Sequence, residues 1–287
     1  LTLIERRSWT GTVGRATTMS RSRLQARFGA DRARECAEAL TAELDVRHPR
    51  EIDIFDIVES DLFDFDAEVQ FEPMNGTVAR VVRHGSGVVI KVRESLRETG
   101  QRRFAIAHEL GHLLLHQGLN QWEVCTSADL VAYNSSGAEP EANVFAATLL
   151  MPKPLFAPRC NVIRPDLKVI GELAQEFRTS LTATSRRFVE LSTDRCAIVF
   201  SRDKRLVWMK RGEHFNGWIR DELDHDSYAF SAFEDGHPPD RLTKMPAEVW
   251  IDSARLPDDA ELYEHTKWMP RYSSALTFLY IPPDQRW

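Results

Sequence analysis

Cys36, Ala37, Leu40 and Leu44 recur at intervals of three and four among charged positions, which predicts an amphipathic helix over residues 32–44, stopped by His48-Pro49-Arg50. A shorter helix is expected over residues 52–59. The period then falls to two. Glu68-Val69-Gln70-Phe71-Glu72 alternates, Asn75-Gly76 signals a turn, and residues 78–82 and 88–92 read as strands around the Gly85-Ser86-Gly87 turn, so a small curled sheet is predicted. Residues 98–116 contain no proline and carry apolar side chains on most sides, the pattern of a helix buried at a domain centre, with Gly118 placed as its C-cap.

A polar, irregular stretch over residues 119–138 separates this helix from a second one, predicted over residues 140–151 and terminated by Pro152 and Pro154. Residues 167–191 read as two short helices broken at Arg178-Thr179-Ser180-Leu181. Ala197-Ile198-Val199-Phe200 and Leu206-Val207-Trp208-Met209 flank a polar turn as in a hairpin, and strand-like pieces follow near residues 249–251 and 275–280. The fold class expected is α+β, with a boundary near residue 192. Residues 31–160 form the first core, 161–192 a helical, helix-turn-helix-like segment, and 193–287 a C-terminal mixed α/β domain. Residues 1–30 read as an N-terminal extension, of which about the first 18 are expected to be poorly ordered.

Composition narrows the setting. The 287 residues, 43% hydrophobic and 28% charged, are enough for about two cores without covalent staples. Cysteines 36, 125, 160 and 196 stand far apart with no Cys-x-x-Cys pair, which points away from a zinc knuckle or a compact disulfide framework and toward reduced thiols in a cytoplasmic protein. Apolar runs are short and no basic-then-apolar segment opens the chain, so neither a membrane span nor a secretion signal is expected. A formal charge of −6 argues against a general nucleic-acid coat.

The candidate chemistry lies in the central helix. His108 and His112 are four apart, so they share one helical face about 6 Å apart along the axis and can converge on a single ion. Glu109, about 100° round the helix, can reach a metal-bound water as general base without acting as a ligand. His-Glu-x-x-His is a known metalloprotease signature, and neutral imidazole with carboxylate suits Zn2+, with Mn2+ as an alternative in activity. Two histidines and a glutamate in so apolar a helix would cost on the order of several kcal/mol if they had no purpose.

A third ligand is required. His116, two turns on, lies about 12 Å along the axis from His108, too far to join it, and reads as structural. In Glu139-Pro140-Glu141-Ala142-Asn143-Val144-Phe145-Ala146, Glu139, Asn143 and Ala146 share a small-residue face suited to packing beside Gly111. Glu139 is the expected ligand, and Asn143 is placed to hydrogen-bond a ligand imidazole and fix its tautomer. Glu141 is offset by two positions and stays as the alternative ligand, because Pro140 can distort the helix start.

Taken together, the segments 103–116 and 139–152 closely resemble the ImmA/IrrE family of metallopeptidases, and the likeness extends over about residues 30–192. The resemblance implies a gluzincin-like, zincin-type core with ligands His108, His112 and Glu139 and base Glu109. It implies an intracellular endopeptidase of narrow specificity that cleaves a cognate helix-turn-helix repressor, switching on stress or mobile-element genes. Relatives in the radiation-response branch carry a further GAF-like domain, which the region after residue 194 matches in length and strand content. Substrate is expected along an exposed sheet edge at residues 88–92, and Tyr133 is the candidate considered for the oxyanion.

Rival readings use the same residues differently. Residues 167–191 could read DNA, with Arg178, Arg186 and Arg187 on phosphates, in a regulator with a vestigial peptidase fold. The interspersed Glu172, Glu176 and Glu190 favour packing against the core instead, so direct DNA binding is not the expectation. The metal could serve a non-peptide hydrolysis, or the chain could be a pure interaction protein. Trp208, Trp218, Trp250 and Trp268 are expected to be core residues more than a ligand pocket.

Overall fold

The computed structural model describes residues 29–84, 87–116, 125–126, 137–252 and 256–285. Residues 1–28, Gly85, Ser86, Gly118 and Tyr133 lie outside them, so the expectations placed on those positions do too.

The chain opens with α1 (Ala30–Glu43), a 3-10 turn at Pro49–Glu51, and α2 (Ile54–Val58), whose N-cap Asp53 accepts a hydrogen bond from the Phe55 N–H. Three strands follow, β1 (Ala67–Glu72), β2 (Thr77–His84) and β3 (Gly87–Arg93), and β4 (Cys125–Thr126) completes a sheet ordered β1-β3-β2-β4. β1 runs parallel to β3 with Val69 opposite Ile90, while β2 is antiparallel to both β3 and β4. On β3, Val88, Ile90 and Val92 are buried in strict alternation, the period of two showing directly in the packing. The sheet order corrects one expectation. Residues 88–92 form no exposed edge, because β1 and β2 take up both sides of that strand, and the outer strands are β1 and β4.

Across the sheet runs α3 (Thr99–Leu115), buried on nearly every side from Arg103 to Leu115. Its principal neighbour is α4 (Ala138–Leu150), which also packs on α1. Two glycines of α3 lie at close approaches, Gly100 to the backbone of Thr179 and Ser180 and Gly111 to α4. A Cβ on Gly100 would stand 2.5 Å from the Ser180 backbone nitrogen, and one on Gly111 would stand 3.0 Å from Phe145 Cδ1 and 3.2 Å from Ala142 Cα.

After α5 (Lys153–Phe156) and a 3-10 turn at Ala157–Cys160 come α6 (Leu167–Glu176) and α7 (Leu181–Leu191), each opened by a side-chain cap, Asp166 and Ser180 respectively. Arg178 takes the left-handed conformation that ends α6, and its guanidinium donates to the Ile52 and Arg50 carbonyls. The other two arginines considered for phosphate contact are also engaged within the protein. Arg187 is buried and donates to the Met151 carbonyl and to Glu190, and the Arg186 guanidinium lies 3.9 Å over the Trp208 ring.

The second sheet contains β5 (Arg195–Arg202), β6 (Arg205–Arg211), β7 (Thr243–Pro246), β8 (Glu261–Met269) and β9 (Ser274–Ile281), ordered β6-β5-β9-β8-β7 and antiparallel throughout, with α8 (Tyr228–Glu234) packed on β8 and β9. The hairpin and β9 appear where the pattern placed them. The strand expected near 249–251 does not: Ala247–Val249 is a 3-10 turn, and Ile251 makes only an isolated bridge to Ile219. One face of this sheet closes on Trp250, Phe215 and Leu262. The other face, with Ile198, Trp208, Leu276 and Phe278, packs into the same core as Phe188 and Val189 of α7, so the core runs through the expected boundary near 192. Trp208 and Trp250 are buried as expected, whereas Trp218 is exposed.

Cys36, Cys160 and Cys196 are buried free thiols, and burial pushes Cys160 and Cys196 up to about 12, which leaves them protonated and inert. Among the described residues, no helix is long and apolar enough to cross a membrane.

Candidate metal centre

α3 presents His108 and His112 one turn apart with their Nε2 atoms 3.0 Å from each other. The first turn of α4 brings Glu139 to the same point, its Oε2 3.0 Å from His108 Nε2 and its Oε1 3.1 Å from His112 Nε2. Pro140 is tolerated there because the N–H it lacks has no partner in the first turn of a helix, and the positive end of the α4 dipole favours the carboxylates of Glu139 and Glu141. Gly111 stands between the two histidines in α3, at a point where α4 comes so near that a Cβ would lie 3.2 Å from Ala142 Cα.

This donor set fits a divalent ion. Donor atoms around a four-coordinate zinc with bonds of about 2.0–2.1 Å stand roughly 3.3 Å apart, close to the spacings here. Hydrogen bonding accounts for them poorly: Glu139 Oε2 is buried without a hydrogen-bond partner among the described residues although an imidazole nitrogen lies 3.0 Å away. Burial lowers the His108 pKa, which keeps its ring in the neutral form a metal needs. For Glu139 burial acts upward, but the two imidazoles outweigh it and hold the carboxylate well below the usual range.

Glu109 lies beside the donors and is almost entirely buried. Its Oε1 has no hydrogen-bond partner among the described residues. Burial pushes its pKa up to about 8, with Glu139 adding to the rise and His112 opposing it. A carboxyl shut away from water in this way holds its proton more readily than an exposed one.

The supporting residues complete the arrangement. Asn143 Oδ1 lies 3.0 Å from His108 Nδ1. His116 does not reach the donor triangle; instead its Nδ1 lies 3.1 Å from His112 Nδ1 and its Nε2 lies 3.2 Å from Glu141 Oε2. Glu141 therefore faces His116 and not the metal position, one turn of α3 away from Glu139. The sequence reading missed this pair, although the spacing of four between His112 and His116 is the signal that could have found it.

No curated protein matches the chain. Among solved structures, a Mycobacterium tuberculosis transcriptional regulator superposes with a TM-score of 0.55 at 19% identity, over 90% of each chain, a likeness of fold. The peptidase M78 family model, described as the IrrE N-terminal-like domain, matches residues 64–189. That span contains α3, α4 and every residue of the donor set and its supports, so the region from residue 64 to 189 is similar to the IrrE N-terminal-like domain, in agreement with the resemblance read from the sequence.

Proposed function

We propose that the protein is an intracellular zinc-dependent endopeptidase of narrow specificity that cleaves a cognate helix-turn-helix repressor and thereby releases stress-response or mobile-element genes. The observation that carries the catalytic part is the meeting of His108, His112 and Glu139 beside a buried Glu109 with a bare carboxylate oxygen. The repressor as substrate rests on the family resemblance.

His108, His112 and Glu139 would hold the ion, and Asn143 fixes the tautomer of His108. When bound, the ion supplies a Lewis acid and makes a bound water acidic near neutral pH. Glu109 takes a proton from the attacking water at Oε1 and returns it to the nitrogen of the departing peptide. The C-terminal unit is read as a GAF-like sensor domain, a reading supported by its antiparallel five-stranded sheet with α8 packed against it. The rival, a DNA-reading regulator, is weakened by the internal partners of Arg178, Arg186 and Arg187.

The test is to incubate the purified chain, with and without added zinc or manganese, with helix-turn-helix repressors encoded beside its gene. Metal-dependent cleavage that Glu109→Gln abolishes is expected. Failure to cut any of them with either metal would leave the regulatory reading in its place.

A further inference from the structure

We propose that His116 and Glu141 are positioning residues for the metal centre, forming a relay in which His116 accepts the Nδ1 proton of His112 and carries the pull of the Glu141 carboxylate to it. This rests on the metal reading above and extends it to two residues that touch no ion.

The relay follows from proton bookkeeping. An imidazole that gives its Nε2 lone pair to a metal must carry its single proton on Nδ1. For His112 that proton points at His116 Nδ1, 3.1 Å away, so the His116 nitrogen must be bare. The His116 proton then sits on its Nε2, where Glu141 Oε2 accepts it at 3.2 Å. Every donor meets an acceptor in this one arrangement. In the opposite tautomer His112 would aim an N–H at His108 Nε2 and could not ligate.

Burial makes the arrangement specific. The side chains of His116 and Glu141 are 6% and 9% exposed, so little water can replace either partner. The two ligand histidines are thereby supported unequally, His108 by the neutral amide of Asn143 and His112 by a carboxylate acting through a second ring. The carboxylate makes His112 the more basic ligand. It also ties the end of α3 to the first turn of α4, the turn that supplies Glu139.

The experiment measures zinc affinity of the full chain by competition with a chelator at constant neutral pH, together with the melting temperature of the metal-free protein. His116→Phe, which keeps bulk and removes the acceptor, should weaken zinc binding about 10–100-fold. His116→Gln, whose amide oxygen can accept from His112, should recover part of the loss, and Glu141→Gln should fall between wild type and His116→Phe. Lower melting temperatures with unchanged zinc affinity in all three would overturn the relay and leave the metal site standing. If His116→Phe does not fold, the near-isosteric Glu141→Gln decides, and unchanged affinity there sinks the relay. A wild-type chain that takes up no stoichiometric zinc overturns the metal reading and the relay with it.

Discussion

Glu109 and Glu264 are both shut away from solvent, and burial raises the pKa of each, yet their surroundings are opposite. Four donors converge on Glu264: the backbone N–H groups of Tyr228 and Ala229 at the start of α8, the Trp250 indole and the Thr266 hydroxyl, at 2.7–3.2 Å. Glu109 Oε1 meets none among the described residues. A buried carboxylate with its acceptors filled is a strut, and Glu264 pins α8 and Trp250 to β8. One left bare beside two histidines keeps an oxygen free, which is what the proposed proton carrier needs. Residue type and burial are the same in both places, so the partners alone separate structure from chemistry.

The sharpest way to break this comparison is to neutralise each carboxylate in turn. Glu109→Gln should lower metal-dependent hydrolysis by on the order of 10²–10⁴-fold or more, because the proposed proton carrier is gone, while the melting temperature changes little, because Oε1 makes no hydrogen bond among the described residues that the amide could lose. Glu264→Gln should do the reverse. Its amide N–H₂ would face groups that themselves donate, costing roughly 2–4 kcal/mol in denaturant unfolding, with hydrolysis per folded molecule unchanged. Equal losses of stability in the two variants would remove the distinction.

Glu190 on α7 sharpens the comparison as a third kind of buried glutamate, one satisfied by cations. Arg34 of α1, Arg187 of α7 and Lys210 of β6 all lie within 3.2 Å of its carboxylate. Burial acts to raise its pKa, but Lys210, Arg187 and Arg34 together bring it down from 4.5 to about 2. Between those values the unfolded chain binds the proton and the folded chain does not, so stability rises with pH through that window. The contribution is complete above it and is lost as pH falls toward 2. Acid unfolding should therefore show roughly 2–3 kcal/mol of pH-dependent stability that Glu190→Gln removes, a result checked by denaturant midpoints across that range.

Legibility in the sequence followed the same division. Where one element had to present a regular face, the pattern was sufficient: β5, β6, β9 and the helices α1, α3, α4, α6 and α7 lie where periodicity placed them. β8 escaped because Glu264, His265 and Thr266 are buried polar residues in its middle, which erases the apolar alternation that marks a strand. The central position of β3 escaped for another reason: a parallel partner such as β1 leaves no local turn signal, so the sequence does not say which strand is the edge. At the candidate site, the meeting of His108, His112, Glu139 and Asn143 could be expected from helical spacing, since each sits on one of two helices. The His116 and Glu141 pair could not be read as easily, because it depends on the rotation of α4 against α3.

The smallest effect expected tests whether that helix contact itself makes the difference between cage and core. An alanine at Gly111 would place a methyl 3.2 Å from Ala142 Cα, between the residues flanking it, Glu141 and Asn143. The backbone there must yield by a few tenths of an ångström, carrying the first turn of α4 and Glu139 with it. Gained helix propensity, up to about 1 kcal/mol, offsets part of an overpacking cost of roughly 1–3 kcal/mol, so stability should change by only about 1 kcal/mol. Zinc affinity should nonetheless fall several-fold, because the donors tolerate little displacement. Gly171 in α6 supplies the control, since a Cβ there meets nothing within 4 Å. Gly171→Ala should stabilise by up to about 1 kcal/mol and leave zinc affinity alone. If the two alanine variants behave alike in chelator competition, the close approach at Gly111 does not set the geometry of the donor triangle.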